Sequence, residues 1–360
     1  MNNNIAPRKR YDELNYFNAI ACLFVILIHV LSLGINTIDR TTTQMALVYL
    51  PWKFAAYVVP GFLFTGAVKM ALGFESTKKV GYIKYILRRA QKIYLPYVIT
   101  VCVYFAYFWY IGWYVADPKL LLESIIYGNI SSPFYYVVTV MQFYLLMPLW
   151  KWMVKRVTWF TAIPVSALIT FAVYRLANVL SVYGIEFIYG DRIFPAYLFF
   201  WVCGLYVGKY YDKVVGAVRA HKLSILLCAI PSLAFAYMNY WQYSTNNWVY
   251  LADANCMKLL SDTLSIMFFL CVCVIISDSS VKWLKKLLGG IFAASFSVYL
   301  THCLFLNLAD RYVIAQYGIS DIGAQLLIRA AVCFTLPFVW YFLAELVKKS
   351  VKKLFKRKDK

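Results

Sequence analysis

Residues 14–34 read LNYFNAIACLFVILIHVLSLG and contain no Lys, Arg, Asp or Glu. An α-helix of this length rises roughly 30 Å at ~1.5 Å per residue, which matches the hydrocarbon core of a bilayer. Arg8, Lys9 and Arg10 precede the stretch, as in a signal peptide. It is longer than the apolar core of a signal peptide, however, and no A-x-A cleavage site follows it. We therefore predict a retained first transmembrane helix.

Nine further apolar runs follow, at residues 46–72, 93–115, 133–151, 157–177, 193–210, 223–241, 260–277, 289–308 and 322–347. Most approach the ~20 residues that cross a bilayer as a helix. The loops between them are short, and exposed strand edges cannot exist in lipid because their backbone polar groups would lack partners. The sequence therefore predicts an all-α, polytopic membrane helical bundle of about ten transmembrane helices.

The composition argues against a water-soluble protein. The chain is 62% hydrophobic and 14% charged, whereas soluble domains carry about 25% charged residues. The net charge of +20 sits in short loops between apolar runs, where it suits membrane topology and anionic lipid headgroups. No zinc-finger or basic-zipper pattern is present, and the nine cysteines form no C-x-x-C pair. We therefore predict neither nucleic-acid binding nor a metal site.

Lysine and arginine are dense in alternate loops. If the N-terminus is cytoplasmic, alternate segments hold 28 of the 36 Lys and Arg. These segments are residues 1–13, 69–92, 151–156, 209–222, 282–286 and 348–360. The positive-inside rule then places both termini in the cytoplasm. The predicted parts are an N-terminal tail (1–13), a transmembrane domain (14–347) and a basic tail (348–360), the last either lying on lipid or solvated.

Two histidines are predicted to lie inside membrane helices. His29 is 15 residues beyond Leu14, which places it roughly 22 Å from the cytoplasmic edge, and His302 is 13 residues beyond Gly289, roughly 20 Å from it. Both helices are predicted to run outward, so the two imidazoles are expected at similar depth. Imidazole is the commonest general base. The alternative for each is a hydrogen-bonded structural histidine, and His221 is predicted to lie in a cytoplasmic loop.

A half-polar stripe runs along the first helix. Asn18 and His29 are eleven residues apart, which is almost three turns, so they share a face with Cys22, Val25 and Ser32. A polar face on an otherwise apolar membrane helix is expected to line the bundle interior or a cavity rather than lipid.

A basic group precedes the third apolar run, in YIKYILRRAQKIYLPY (82–97). Lys84, Arg88 and Lys92 fall on one helical face, and Arg89 is adjacent. Such a group suits phosphates, because Arg binds phosphate oxygens in pairs and Lys adds a point charge. Positive-inside topology alone explains the same residues equally well.

Several segments together carry a family resemblance. They are the first helix, the basic group with the following Pro96 and Tyr97, YYVVTVMQFYLLMP (135–148), FFWVCGLYVGKYY (199–211) and SVYLTH (297–302). In order and placement they resemble the acyltransferase 3 family, the ten-helix bacterial membrane O-acyltransferases that modify surface glycans. Segments 135–148 and 199–211 also resemble the subgroup tied to poly-N-acetylglucosamine succinylation or export. Asn18 stands where the family has a basic residue, so that cation is either absent here or supplied by another residue.

The resemblance implies an activity at the bacterial cell membrane. An acyl group, acetyl or succinyl, would move from cytoplasmic acyl-CoA to a hydroxyl of a cell-surface polysaccharide or glycolipid. Acyl-CoA is then a substrate, and no bound cofactor is expected. Its phosphates would meet the four residues of the basic group, and His29 would act as general base on the acceptor hydroxyl. Candidates to orient His29 are His302, Asp262 and Asp191, in falling order.

Aromatic residues near the predicted outer face could stack on sugars. They are Tyr135, Tyr136, Trp241 and Trp248, although an interfacial aromatic belt is the simpler explanation for any one of them. Two other functions stay open at this point. The chain could export a glycan, for which inverted internal repeats are expected but not found, or it could be a non-catalytic partner of a glycan synthase.

Overall fold

The computed structural model describes residues 11–75, 81–245 and 251–358. These residues form helices and connecting turns, with no strand among them, so the all-α prediction is confirmed. The first half contains α1 (Asp12–Thr37), α2 (Thr43–Phe54), α3 (Val58–Leu72), α4 (Tyr82–Arg89), α5 (Leu95–Tyr110), α6 (Pro118–Tyr127), α7 (Tyr135–Leu145), α8 (Met147–Arg156) and α9 (Trp159–Val182). The second half contains α10 (Leu198–Lys209), α11 (Tyr211–Ala220), α12 (Lys222–Leu226), α13 (Ala229–Thr245), α14 (Leu251–Asp278), α15 (Lys282–Ala309), α16 (Ile322–Cys333) and α17 (Leu336–Lys358).

Short turns of other helix types join several of these elements. Turns of 3-10 helix occupy Ala55–Tyr57, Ser132–Phe134, Gly190–Arg192 and Phe194–Tyr197, and π-helical turns occupy Ala90–Tyr94 and Asp310–Ala315. The first joins α2 and α3 into one apolar segment, Thr43–Leu72, and the Ala90–Tyr94 turn joins α4 and α5 into another, Tyr82–Tyr110.

Fewer helices are long enough to cross a bilayer than the sequence predicted. Within the described ranges eight helices pass by length and composition, and α7 with α8 makes a ninth if this pair, bent by 58°, is one span. The bend lies at Leu146, just before Pro148, whose ring cannot continue the helical hydrogen bonds. The sixth predicted run, 193–210, forms the 12-residue α10 preceded by a 3-10 turn. That segment and the bent α7–α8 pair together account for the difference between eight and ten.

The short helix α10 lies in the interior, packed along α3. A methyl group built on Gly204 would overlap the carbonyl oxygen of Phe64, and one built on Gly208 would lie 2.7 Å from that of Val68. Close approach of two backbones through a Gly-x-x-x-Gly pair is a common form of helix packing in membranes. Trp201, on the same helix, is fully buried and stacks on Phe143 of α7 with ring centroids 4.3 Å apart.

The first helix is central to the other side of the bundle. α1 packs against α2, α3, α14, α15 and α16. It begins at Asp12, and Glu13 is already buried, accepting a hydrogen bond of 2.5 Å from the Tyr211 hydroxyl. At the other end of the chain, α17 continues past residue 348 to Lys358. α1 therefore brings its polar stripe against several helices at once.

We expect Gly204→Ala to destabilise the folded protein. The added methyl group has no space against the Phe64 carbonyl, and overpacking of this kind costs about 1–3 kcal/mol. Thermal unfolding of the protein in detergent, followed by size-exclusion chromatography after heating, should show a lower midpoint. Gly216→Ala on α11 is the matched control, because its methyl group meets open space. Equal midpoints for the two variants would contradict the packing of α10 on α3.

Candidate active site

Two imidazoles meet at the contact between α1 and α15. The ring centroids of His29 and His302 are 5.1 Å apart and their planes are inclined by 52°. His302 is fully buried, whereas His29 is partly buried and lines a cavity. The structure thus brings together the two histidines that the sequence placed at similar depth.

The hydrogen bonds of His302 fix its ring. Its Nδ1 lies 3.0 Å from the carbonyl oxygen of Val298, which only accepts, so Nδ1 carries the hydrogen. In the neutral ring Nε2 then accepts, and the Cys303 thiol lies 3.4 Å from it. No hydrogen bond joins the two described imidazoles. The nitrogens of His29 likewise have no hydrogen-bond partner within the described part of the chain, so His29 is free to accept a proton.

The side chains of His29, His302 and Cys303 form a compact group. Their ligand atoms lie within 4.8 Å of one another, a spacing at which such residues could hold a metal ion. The sequence did not predict this group, because its analysis weighed the cysteines only as C-x-x-C pairs. That the protein uses no metal remains a prediction from the sequence.

The cavity beside His29 measures about 250 Å³. Four tyrosines line it, Tyr135, Tyr136, Tyr197 and Tyr299. Tyr299 is held in place because its hydroxyl donates to the carbonyl oxygen of Pro133. One cation, Lys258, also lines the cavity. Two of the predicted sugar-contact residues, Tyr135 and Tyr136, therefore share a space with the predicted base.

The polar stripe of α1 faces protein along its length. Thr65 of α3 donates a hydrogen bond of 2.6 Å to Asn18, and the Cys22 thiol approaches the carbonyl oxygen of Ser295 at 3.8 Å. One turn before Asn18, Asn15 accepts a 3.1 Å hydrogen bond from the Lys69 ammonium, which also lies 4.7 Å from the centre of the Phe292 ring. Lys69 is thus a partly buried residue of α3 rather than a loop cation.

The basic group lies at the start of the Tyr82–Tyr110 segment. Lys84, Arg88 and Lys92 are exposed. Arg89 is built into the fold, because its guanidinium lies over the rings of Tyr85 and Tyr144, at 5.3 and 4.6 Å from their centres. The following π-helical turn is a feature often found at functional sites.

The same segment reaches the histidines at its other end. The Tyr104 hydroxyl donates to the carbonyl oxygen of Leu300 at 3.1 Å and accepts from the amide of Leu304 at 2.7 Å. Both residues flank His302 on α15. From Arg89 to Tyr104 the chain rises 15 residues, or about 22 Å at helical spacing.

The remaining described candidates do not line the cavity beside His29. Asp262 accepts a 2.5 Å hydrogen bond from Lys258, and Asp191 pairs with Arg192 at 3.4 Å. Partial burial raises the pKa of the Asp191 carboxyl, against the opposing effect of the Arg192 guanidinium. Trp241 is 48% exposed on α13. Trp248 lies outside the described residues.

Two functional candidates were missed by the sequence analysis. Lys258 is one of the eight Lys and Arg that lie outside the predicted cytoplasmic segments, and its i,i+4 spacing to Asp262 was a visible signal. Arg329, which is 5% exposed, donates to the carbonyl oxygen of Val30 at 3.0 Å and to Asp310 at 3.1 Å. This arginine ties α16 to the residue after His29, and no local sequence pattern relates positions so far apart.

Comparison with known proteins gives a consistent set of matches. The sequence model of one family, described as an acyltransferase domain, matches residues 11–344. A Bacillus subtilis (strain 168) protein, provisionally named membrane-bound acyltransferase YfiQ, is 21% identical over 347 residues, 91% of this chain and 89% of the relative. A Staphylococcus aureus (strain MRSA252) protein, provisionally named a poly-beta-1,6-N-acetyl-D-glucosamine export protein, is 21% identical over 319 residues, 83% of each chain. No solved structure matches.

We expect Arg329→Met to weaken the contact between α1 and α16. It removes the donor to Val30 and leaves Asp310 unpaired. Breaking a fully buried ion pair costs about 3–5 kcal/mol, and we expect about 2–3 kcal/mol on the same basis because Asp310 is 37% exposed. Thermal unfolding in detergent measures the loss. Arg311→Met is the matched control, since Arg311 is exposed beside Asp310. No difference between the variants would contradict the role of this pair.

Proposed function

We propose the function of this chain from one premise: it belongs to the acyltransferase 3 family, whose sequence model covers residues 11–344. It is a multi-pass membrane acyltransferase. We propose that it moves an acyl group from cytoplasmic acyl-CoA to a hydroxyl of a cell-surface polysaccharide or glycolipid, at the bacterial cell membrane and with both termini cytoplasmic. The observation that carries this proposal is the His29 imidazole, which faces a cavity inside the bundle with its nitrogens free of partners among the described residues.

In this proposal His29 is the general base. A neutral imidazole nitrogen takes the proton of the acceptor hydroxyl as its oxygen attacks the thioester carbonyl. The C–O ester bond forms, the C–S bond breaks, and the CoA thiolate leaves. The imidazolium returns the proton to that thiolate. The product is an ester on the acceptor and free CoA.

His302 is proposed as the residue that positions His29. Its Nδ1 hydrogen is held by Val298, so the ring cannot turn freely. The tilted contact between the two rings limits the rotation of the His29 ring. This is a packing role, and it supports His302 ahead of Asp262 and Asp191, whose carboxylates pair with neighbouring cations.

The donor is proposed to enter from the basic group. Lys84, Arg88 and Lys92 offer exposed cations on one helix, which suits the phosphates of CoA. The helical rise of about 22 Å from Arg89 to the level of His302 is comparable with the extended pantetheine arm of CoA. The phosphates would then stay at the membrane surface while the thioester reaches the cavity.

Lys69 is proposed to supply the cation that Asn18 lacks. Its ammonium binds Asn15 one turn before Asn18, and Thr65, one turn before Lys69 on α3, binds Asn18 itself. A cation from α3 therefore lies beside the part of α1 where the family carries a basic residue. Tyr135 and Tyr136 are proposed as acceptor contacts, and a glycan synthase and anionic lipids as partners.

Glycan export is the second candidate function, because one relative is named as an export protein. An exporter needs a continuous path for a polymer, whereas the proposal here rests on a single cavity of about 250 Å³ beside a base. A non-catalytic partner of a synthase is the third candidate. The three candidate functions predict different outcomes when the His29 imidazole is removed.

We expect His29→Ala to abolish ester formation, because no other described residue that lines the cavity carries an imidazole to act as the general base. Mass spectrometry of surface polysaccharide from cells that produce the variant should show at least a hundredfold loss of ester with polymer still exported. His221→Ala is the matched control, since that histidine is exposed. Loss of all surface polymer would favour export instead, and an unchanged polymer would favour the non-catalytic partner.

We expect charge reversal in the basic group to weaken acyl-CoA binding. Arg88→Glu with Lys92→Glu should raise the KM for acyl-CoA at least tenfold with little change in kcat, because the lost contacts are remote from the reacting carbonyl. The KM should also depend less on salt. Lys155→Glu with Arg156→Glu is the control, being exposed and predicted on the same side. An equal effect of both pairs of substitutions would indicate that the basic group serves membrane topology rather than acyl-CoA binding.

A further inference from the structure

Three side chains that can bind a metal meet at the contact between α1 and α15. A ring nitrogen of His29, a ring nitrogen of His302 and the sulfur of Cys303 lie within 4.8 Å of one another. The Nε2 of His302, which carries no hydrogen in the neutral ring, lies 3.4 Å from the Cys303 sulfur. The nitrogens of His29 have no hydrogen-bond partner among the residues that the structure describes. Two nitrogens and one sulfur are therefore available to a single ion after small side-chain rotations.

The surroundings of His302 are those expected of a metal-binding histidine. The carbonyl oxygen of Val298 accepts the Nδ1 hydrogen at 3.0 Å, which fixes the tautomer and leaves the electron pair on Nε2. Histidines that bind metals commonly hold their other ring nitrogen in this way. The Cys333 thiol donates to the carbonyl oxygen of His302 at 3.5 Å, so α16 holds the same turn of α15. The His302 ligand is thus oriented before an ion arrives.

The charges around this group favour a monovalent ion. Arg329 lies near enough to interact electrostatically with both His29 and Cys303. Its own charge is balanced by Asp310. A cysteine gives up its proton when it binds a metal, so a monovalent ion on one thiolate and two neutral imidazoles adds no net charge. A divalent ion would add one positive charge, which costs free energy inside a membrane bundle.

The ligand types suit copper in its lower oxidation state. Cysteine sulfur is a soft ligand that selects Cu(I), and imidazole also binds copper well. Two imidazoles and one thiolate form the trigonal ligand set of many copper sites. His29 lines the cavity of about 250 Å³, so an ion that enters this space reaches one of its three ligands directly.

We propose that His29, His302 and Cys303 bind one Cu(I) ion, and that the bound ion blocks acyl transfer. Binding stands on the three ligands alone, whereas the block rests on the proposed function. As the ion binds, the S–H bond of Cys303 breaks, a sulfur–copper bond forms and the proton leaves to water, while copper stays Cu(I) and no electron is exchanged. The His29 electron pair that takes the proton of the acceptor hydroxyl is then held by the metal. Transfer itself needs no metal in this proposal.

The binding test titrates the full chain in lipid nanodiscs. Cu(I) is supplied under anaerobic, reducing conditions with bicinchoninate as the competing chelator. Ag(I) nitrate in chloride-free buffer is a second soft monovalent ion, and it keeps its oxidation state. Every protein carries Cys102→Ser, because Cys102 is exposed and its thiol would bind such ions by itself. We expect one tightly bound ion per chain, and Cys303→Ala or His29→Ala should each weaken its binding by roughly a hundredfold.

A second buried cysteine provides the matched control. Cys333 donates to the His302 carbonyl oxygen and is not one of the three ligands, so Cys333→Ala should keep the affinity of the Cys102→Ser parent. Size-exclusion chromatography checks that each variant is folded, and copper X-ray absorption should show two nitrogen ligands and one sulfur. Equal affinities for the parent and its Cys303→Ala variant would overturn the inference while the proposed function stands.

Acyl transfer is then measured on the same proteins loaded with Ag(I) and freed of unbound ion. Radiolabelled acetyl-CoA or succinyl-CoA is supplied with surface polysaccharide, and initial rates are taken before free CoA, whose thiol competes for the ion, accumulates. We expect the loaded parent to lose roughly a hundredfold in rate, because its general base is occupied. The Cys303→Ala variant should keep its rate after the same treatment, and Zn(II) should leave the parent active.

The outcomes separate the metal site from the proposed function. A loaded parent that transfers acyl groups at its full rate would overturn the block and the role of His29 as general base, while the metal site stands. Equal inhibition by Zn(II) and Ag(I) would overturn the choice of a monovalent ion. A parent that transfers no acyl group even without metal would overturn the proposed function and leave the metal site to be decided by the binding test.

Discussion

A membrane helix that carries polar side chains must turn them towards other helices, because lipid offers them no partner. α1 carries such a stripe and is surrounded by five helices. Asn18 is bound by α3, His29 rests on His302 of α15, and the Val30 carbonyl beside it is bound by Arg329 of α16. The packing of the bundle and the position of the cavity therefore follow from one requirement, which is that this stripe face protein rather than lipid.

The basic group and the two histidines are joined by continuous helical structure. The segment Tyr82–Tyr110 begins at the exposed cations and ends beside α15, where the Tyr104 hydroxyl donates to the Leu300 carbonyl and accepts from the Leu304 amide. α15 is then followed by the π-helical turn Asp310–Ala315, which carries the partner of Arg329. One π-helical turn therefore lies at the cation end of the Tyr82–Tyr110 segment, and the other follows the last residue of α15.

The regular part of this arrangement could be predicted from sequence, and the irregular part could not. A fixed rise and turn per residue are enough to align Asn18 with His29 and to place His29 and His302 at one depth. The 58° bend between α7 and α8 and the shortness of α10 depend on tertiary packing, which is why eight or nine of the described helices are long enough to span a bilayer where the sequence predicted about ten. Arg329 and Asp310 are a pair only after α15 and α16 have docked. The i,i+4 spacing of Lys258 and Asp262 can be read from the sequence. A count of cations, however, does not show which of them face the interior of the bundle.

The order in which the chain is made has a bearing on when the site exists. α1 leaves the ribosome first, while α15 and α16 emerge near the end. Both the His29 contact with His302 and the Arg329 contact with Val30 join these early and late segments. A nascent or truncated chain thus holds an imidazole without its neighbour or its anchor. Both contacts therefore form only after α15 and α16 have been inserted beside α1.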